Sequence, residues 1–241
     1  MMRSDLKNAI KQAPKAVQPD GKLALVIFDC DGVLVDSERF SAIVLGNEAR
    51  KHGWDISDQE TEERFTGIQL VDIKKEFEKH ASKPFPDNWV QTTQDKIVDI
   101  MKKHVEPVKD VEFMLETIKQ MGVPFRVGSN SSMAEMDTKF AKTGLNRWLQ
   151  RERLHSGHAV KHPKPFPDLY LYAAEQENVA PEKCMVVEDS DVGLKAAYDA
   201  GMACVLLRNL DKKAPDYPGL LRVENLKEVT ALIQYILQSQ K

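Results

Sequence analysis

Apolar residues along this chain follow two different patterns, and the patterns alternate. Continuous apolar runs lie at residues 23–28, 184–187 and 203–207. Runs of this length, without alternating polar positions, are typical of strands that are buried on both faces of a sheet. Between the runs, apolar residues recur at the three- and four-residue spacing of helices. Strands that alternate with helices predict an α/β fold, with a doubly wound parallel sheet.

One long segment carries only the helical pattern and has no strand signal. Its predicted helices are 39–51, 57–64, 71–80 and 89–104. This segment is large enough to be a small domain of its own, inserted after the first strand. The predicted division of the chain is residues 1–22 as a partly ordered N-terminal extension, residues 23–36 and 106–241 as the core domain, and residues 37–105 as a helical cap domain.

Charge and composition narrow the classes of function. The chain has 241 residues and a formal net charge of −3, so it presents no basic field for nucleic acid or an anionic membrane. No apolar run approaches the roughly 20 residues that span a bilayer, and the first 22 residues lack the apolar centre of a secretory signal. Cys30, Cys184 and Cys204 are odd in number and indicate buried thiols rather than disulfides. We expect a cytoplasmic protein with no nucleic-acid or membrane partner, and a monomer or weak oligomer as the starting assumption.

Polar residues follow the predicted strands at the point where each strand ends. Asp29 and Asp31 follow the first run, Ser129 and Asn130 end a short strand at 124–129, and Glu188 and Asp189 end another. The carboxyl ends of parallel strands share one edge, where ligands of open α/β folds bind. Acidic side chains that meet there repel one another unless a cation lies among them, and oxygen ligands favour Mg²⁺. Lys164, between prolines in a loop, can add a positive charge.

Taken in order, these residues resemble four known motifs. The run 29–38 (DCDGVLVDSE), Ser129, the run 164–168 (KPFPD) and the run 188–193 (EDSDVG) are similar to the motifs of haloacid dehalogenase-like (HAD) phosphatases. The resemblance spans about residues 23–207 and is greatest to the β-phosphoglucomutase-like branch. It implies a Rossmann-like HAD core with a helical cap inserted after the first motif, acting on a small-molecule phosphate ester.

The resemblance also implies roles for the motif residues. Asp29 would be the nucleophile that forms an aspartyl phosphate, and Asp31 the general acid and base. Because an aspartate is a poor acid at neutral pH, we expect the cap to raise the pKa of Asp31 by desolvation. Ser129 would bind a phosphoryl oxygen and Lys164 would neutralise charge. The implied ligands of Mg²⁺ are Asp29, the backbone carbonyl of Asp31, Asp189, and Glu188 directly or through water.

Four further residues are candidates for substrate binding. Gly32 allows a sharp turn whose backbone N–H groups can face an anion. Asn130 follows a strand at the same edge. Gly67 and Gln69 belong to the cap segment 64–70 (RFTGIQL), which resembles the substrate loop of sugar-phosphate phosphatases, including a 6-phosphogluconate phosphatase. The predicted substrates are therefore small phosphorylated metabolites, sugar phosphates in the first place.

Other reactions on this fold stay open as alternatives. A haloalkanoate dehalogenase is expected to lack the second aspartate, and Asp31 is present. In a β-phosphoglucomutase, a histidine and an arginine stand where this chain has Ser41 and Leu70, which favours hydrolysis over mutase activity. A phosphonatase needs a Schiff-base lysine in the cap, for which Lys51, Lys74 and Lys75 are present but not placed. A catalytically silent binding protein is the alternative from another class.

Overall fold

The computed structural model describes residues 3–66 and 68–241, apart from the side chain of Glu38. Its strands are β1 (Leu25–Phe28), β2 (Val35–Asp36), β3 (Glu106–Pro107), β4 (Phe125–Ser129), β5 (Leu154–Ser156), β6 (Cys184–Glu188), β7 (Ala203–Leu207) and β8 (Leu221–Val223). Its α-helices are α1 (Ser4–Gln12), α2 (Glu38–Lys51), α3 (Asp58–Phe65), α4 (Leu70–His80), α5 (Trp89–His104), α6 (Val111–Gln120), α7 (Met133–Thr143), α8 (Asp168–Glu175), α9 (Asp191–Asp199) and α10 (Leu226–Ser239). None of these helices has the length and apolar character needed to cross a bilayer.

The main sheet has six strands in the order β5-β4-β1-β6-β7-β8, and every neighbouring pair is parallel. The predicted doubly wound parallel fold is therefore confirmed. β1 lies between β4 and β6, and Ile27 pairs with Arg126 on one side and with Val186 on the other. The carboxyl ends of these three strands form one edge, which we call the rim.

Side chains of β1 alternate between two hydrophobic clusters, which explains its unbroken apolar sequence. Leu25 and Ile27 pack into the cluster that includes α8 and α9. Val26 and Phe28 pack into the larger cluster on the opposite face, with α6, α7 and α10. All four residues are fully buried. The sheet is thus covered by helices on both faces, and polar side chains of β1 can be placed only at its ends.

Residues 37–105, which we call the helical insertion, contain α2 to α5 and lie between β2 and β3. The absence of strands in the described part of the insertion agrees with the sequence pattern. The insertion has a hydrophobic cluster of its own, in which Phe77 and Trp89 are almost fully buried. β2 and β3 form a separate antiparallel pair at its base. The sequence did not reveal this pair, because two residues are too few to show periodicity.

The N-terminal extension is more ordered than its sequence indicated. α1 buries Leu6 and Ile10 in the larger core cluster, and Ala16 and Val17 follow in a buried 3₁₀ turn. The expectation of a partly ordered lead-in was wrong for this stretch. Its two buried residues are spaced four apart, so the helical signal was present but short.

The packing of α1 predicts a measurable contribution to stability. Replacing Ile10 with Ala should lower the free energy of unfolding by about 3 kcal/mol, since a buried side chain is truncated in the core. Urea unfolding followed by circular dichroism measures this change. Lys11→Ala, at the exposed neighbouring position on α1, is the control and should leave the midpoint unchanged. Equal midpoints for both variants would show that α1 does not pack on the core.

Candidate active site

The centre of the rim is a buried group of charges around Lys164. Its ammonium donates to Asp29 Oδ1 at 2.6 Å and to Glu188 Oε1 at 2.6 Å. Asp29 directly follows β1, Glu188 ends the neighbouring β6, and all three residues are less than 9% exposed. The parallel register of β1 and β6 therefore brings the two carboxylates to the same lysine.

Lys164 is held in place through its backbone by Asn130. The Asn130 Nδ2 donates to the Lys164 carbonyl at 3.1 Å, and the Lys164 N–H donates to Asn130 Oδ1 at 3.1 Å. Asn130 was predicted to contact substrate. It does line the cavity described below, but these two hydrogen bonds use its amide to fasten the loop that carries Lys164.

The Glu188 carboxylate is fully enclosed by hydrogen-bond donors. Oε1 accepts from Lys164 and from the Tyr170 hydroxyl at 2.7 Å. Oε2 accepts from the N–H groups of Asp189 and Ser190 and from the Ser190 hydroxyl. A carboxylate offers about four lone-pair positions, so these contacts saturate it. A Cβ at Gly193 would lie 1.6 Å from Oε1, which shows how closely α9 approaches this group.

Three carboxylates at the rim could hold a cation together. Oxygen atoms of Asp29, Glu188 and Asp189 lie within 4.8 Å of one another. When all three are ionised, the Lys164 ammonium leaves two negative charges in a buried site, and hard oxygen donors of this kind suit a divalent cation such as Mg²⁺. The donor set therefore fits the metal that the motifs imply. Because Glu188 is already saturated, Asp29 and Asp189 are the better direct ligands.

Gly32 is required at the rim for a different reason from the one predicted. Its φ is 76°, and a Cβ there would lie 1.8 Å from Asp189 Oδ2, so only glycine allows the loop after β1 to approach Asp189. The Gly32 N–H donates to the Val35 carbonyl at 2.9 Å and is not available to an anion. The predicted backbone contact from Gly32 to a phosphate is thus not formed by this N–H.

The Asp31 carboxylate is not part of the group of three and has its own buried cation. Lys139 Nζ lies 2.5 Å from Asp31 Oδ1, and the Ser131 hydroxyl lies 2.8 Å from Oδ2. The hydroxyls of Ser37 and Ser129 donate to the same carboxylate, the latter at 3.4 Å. As a metal ligand, Asp31 could therefore contribute its backbone carbonyl, as the resemblance implies, and not this carboxylate.

The pKa values of Asp29 and Asp31 are shifted in opposite directions from the ordinary value. Burial raises the pKa of Asp29, and Glu188 and Asp31 add to this, although Lys164 acts against it. Burial also acts to raise the pKa of Asp31, but the Lys139 ammonium and the hydroxyl donors outweigh it and hold that pKa below its ordinary value. The expectation that the cap raises the pKa of Asp31 was wrong, because it left out the cation on α7.

Lys139 was missed by sequence reasoning although a signal for it exists. The buried residues of α7 are Glu135, Met136, Lys139 and Phe140, so a lysine lies in the middle of the face that packs inward. A lysine is rarely buried without a partner. The sequence could have shown that Lys139 needs an acid, but not which one, because Asp31 is 108 residues away.

A cavity of about 140 Å³ lies between the rim and the helical insertion. From the rim it is lined by Asp29, Asp31, Ser129, Lys164 and Asp189, so these predicted residues meet at one site. Gln69, which is predicted to bind substrate, lines it from the insertion. The predicted contact at Gly67 lies outside the described residues.

The chain is similar to known haloacid dehalogenase-like proteins in sequence and in fold. The model of the haloacid dehalogenase-like hydrolases matches residues 26–207. The 6-phosphogluconate phosphatase of Escherichia coli is 27% identical over 182 residues, covering 75% of this chain and 80% of the relative. The phosphorylated carbohydrates phosphatase of Thermotoga maritima is 26% identical, covering 88% and 99%. A solved haloacid dehalogenase-like protein of unknown function from Agrobacterium tumefaciens is 28% identical, covers 89% and 99%, and superposes with a TM-score of 0.73.

Because Lys139 and Asp31 form a buried ion pair, substitutions of the two residues should have coupled effects on the free energy of unfolding. Lys139→Met leaves the Asp31 carboxylate without its cation and should lower the free energy of unfolding by about 2 kcal/mol, less than for a fully buried pair because 22% of the Asp31 side chain is exposed. Adding Asp31→Asn should recover part of this loss. Urea unfolding of both single variants and the double variant measures the coupling.

Lys142→Met, at an exposed position three residues further along α7, is the matched control. It should change the free energy of unfolding by less than about 0.5 kcal/mol. If Lys139→Met proved as harmless as Lys142→Met, the pair would not be formed in solution.

Proposed function

Because this chain belongs to the haloacid dehalogenase-like hydrolases, we propose that it is a Mg²⁺-dependent phosphatase of small phosphorylated metabolites, principally sugar phosphates. The observation that carries the proposal is the contact of Lys164 with Asp29 at 2.6 Å, beside the carboxylates of Glu188 and Asp189. Asp29, Lys164 and Asp189 line one cavity, which supports their proposed roles as nucleophile, neutralising cation and metal ligand.

In the proposed reaction, Asp29 is the nucleophile. One of its carboxylate oxygens attacks the phosphorus atom, the bond from phosphorus to the ester oxygen breaks, and an aspartyl phosphate forms. Water then attacks the same phosphorus, which releases inorganic phosphate and restores Asp29. Lys164 stays in contact with Asp29 and opposes the negative charge of the transferring group. The Ser129 hydroxyl at the end of β4, which donates to Asp31 at 3.4 Å, would exchange this long contact for one to a phosphoryl oxygen.

Asp31 transfers the protons in the proposed reaction. As a general acid it donates a proton to the leaving alkoxide, and as a general base it then accepts one from the attacking water. The buried Lys139 favours the ionised form, which suits the second step. For the first step, a bound phosphate dianion raises the pKa of Asp31 through like-charge repulsion.

Mg²⁺ would be held by Asp29, Asp189 and the backbone carbonyl of Asp31. The oxygens of Glu188 are saturated by other donors, so a contact from Glu188, direct or through water, would require one of those donors to leave. When bound, this ion neutralises charge on the phosphoryl oxygens. Arg208 holds the backbone of Asp189 in place, because its guanidinium donates to the Asp189 carbonyl. The same guanidinium pairs with Asp191 at 2.9 Å.

Features of the cavity favour hydrolysis over the other reactions. Ser41 and Leu70, which stand where the mutase has a histidine and an arginine, both line the cavity and supply neither group. Among described residues of the insertion, no lysine lines it, so the Schiff-base lysine of a phosphonatase lacks a counterpart. A haloalkanoate dehalogenase is expected to lack the second aspartate, so the presence of Asp31 disfavours this reaction.

We also propose that residues 37–105 act as a cap over the core formed by 23–36 and 106–241. The separate hydrophobic cluster of the insertion supports this division. A cytoplasmic location is part of the proposal, supported by the three buried cysteines, which are all free thiols.

Asp29→Asn should abolish phosphate release from a panel of phosphorylated metabolites, with a fall in kcat of at least about 10³-fold, because the nucleophile is lost. Released inorganic phosphate is the readout. Asp199→Asn, at the far end of α9 and paired with Lys195, is the control and should keep full activity.

Three outcomes of this screen would contradict the proposal. Undiminished turnover by Asp29→Asn would show that Asp29 is not the nucleophile. Conversion of β-glucose 1-phosphate to the 6-phosphate without net phosphate release would favour the mutase. No turnover by the unaltered protein on a broad panel would favour a silent binding protein.

The proposed metal site can be tested without turnover. Mg²⁺ should raise the Tm of the protein, by the equivalent of about 2.7 kcal/mol at 100 times its Kd, because it binds the folded state. Asp189→Asn should lose this shift, whereas Asp199→Asn, at the exposed end of α9, should keep it. Chelation should stop phosphate release and added Mg²⁺ should restore it. A Tm shift of equal size in Asp189→Asn would exclude this site.

A further inference from the structure

The helical insertion and the core line the cavity with different kinds of residue: the insertion side is mostly apolar, whereas the core side is mostly polar or charged. Phe65 and Ile97 are among the buried contributors to the apolar wall of the insertion. Six polar side chains interrupt this wall. The hydroxyls of Thr61 and Thr66 donate to backbone carbonyls. Within residues 3–66 and 68–241, the other four make no side-chain hydrogen bond or ion pair: Ser41, Glu62, Gln69 and Gln94. Unpaired polar groups on an apolar wall are the usual means of orienting a small ligand.

Glu62 is the charged member of this set. It lies on α3, is partly buried and faces the cavity. Burial, together with the negative charges of Asp36 and Glu63, raises its pKa, while Arg39 acts in the opposite direction. Its carboxylate therefore stands in an environment that is already unfavourable to negative charge.

The cations of the cavity all belong to the core. Lys164 is engaged by Asp29 and Glu188, and Lys139 is engaged by Asp31. His158 also lines the cavity from the core side. Among the described residues of the insertion, no lysine or arginine lines it. On the insertion side, a second anionic group of the substrate would thus meet the Glu62 carboxylate, with no lysine or arginine among the described lining residues there.

We infer that Glu62 is a specificity-determining residue, and that the substrate is a phosphate ester whose far end is uncharged and rich in hydroxyl groups, as in a phosphorylated sugar or sugar alcohol. The inference rests on the proposed phosphatase function. Hydroxyl groups donate hydrogen bonds to the Glu62 carboxylate and to the amides of Gln69 and Gln94. Esters with a second phosphate or a carboxylate are rejected by charge repulsion. The 6-phosphogluconate that gives the Escherichia coli relative its name is such an ester, so this chain should discriminate against it.

Two open-chain six-carbon esters isolate this effect, because they differ mainly at one end. A hexitol 6-phosphate carries a hydroxymethyl group where 6-phosphogluconate carries a carboxylate. The unaltered protein should show a kcat/KM at least about tenfold higher for the hexitol ester, since like charges brought together cost more than the 1.4 kcal/mol that corresponds to tenfold. Glu62→Gln keeps an acceptor oxygen, so it should retain the hexitol activity within about threefold and raise the activity on 6-phosphogluconate about tenfold.

Two controls accompany this comparison. Glu63→Gln, at the exposed neighbouring position that does not line the cavity, should leave the preference unchanged. Thermal unfolding of all three proteins, followed by circular dichroism, shows that each is folded. A preference of the unaltered protein for 6-phosphogluconate, or a preference that Glu62→Gln does not change, would overturn the inference.

Binding measurements separate this inference from the proposed function. Asp29→Asn and the double variant Asp29→Asn, Glu62→Gln are titrated with each ester by calorimetry. The ratio of the two Kd values gives the preference of each protein without turnover. If no ester is hydrolysed but Asp29→Asn binds the hexitol ester more tightly and Glu62→Gln removes the difference, the phosphatase proposal fails and the role of Glu62 stands. Equal affinities in that background would overturn the role of Glu62.

Discussion

The whole site depends on the need to compensate buried negative charge at the carboxyl ends of two adjacent strands, β1 and β6. Burying an ionised carboxylate is costly unless a cation or several donors accompany it. Lys164 meets this need for Asp29 and Glu188, and Lys139 meets it for Asp31. Tyr170, Ser190 and Asn130 then fix the members of these pairs. The rim is consequently a connected set in which each side chain depends on its neighbours for its position.

Sequence reasoning recovered those parts of the molecule that follow from local pattern. β1, β6 and β7 were visible as continuous apolar runs because both faces of the sheet are covered. From parallel strands it followed that residues such as Asp29 and Glu188 would meet, since every carboxyl end lies at one edge. β8 was not recovered, because its three residues are too short to stand out.

What sequence reasoning could not supply was the identity of long-range partners. The acid that Lys139 pairs with, and the use of the Asn130 amide to hold a loop, depend on contacts across 108 and 34 residues. Gly32 illustrates the same limit. Its conformational freedom was expected, but the reason for it, the approach of Asp189, emerges only when β6 is placed beside β1.

The antiparallel pair of β2 and β3 places the beginning and the end of the helical insertion side by side, with Val35 opposite Pro107 and Asp36 opposite Glu106. The chain therefore passes from the core to the insertion and back through two adjoining strands. Ile97 and Met101 of the insertion also pack into the larger core cluster, whereas the cluster around Phe77 belongs to the insertion alone. Such a junction makes the insertion a module that can diverge or be exchanged as a unit. Selectivity for the organic part of a ligand can then evolve on one side of the junction while the charge network on the other side is conserved.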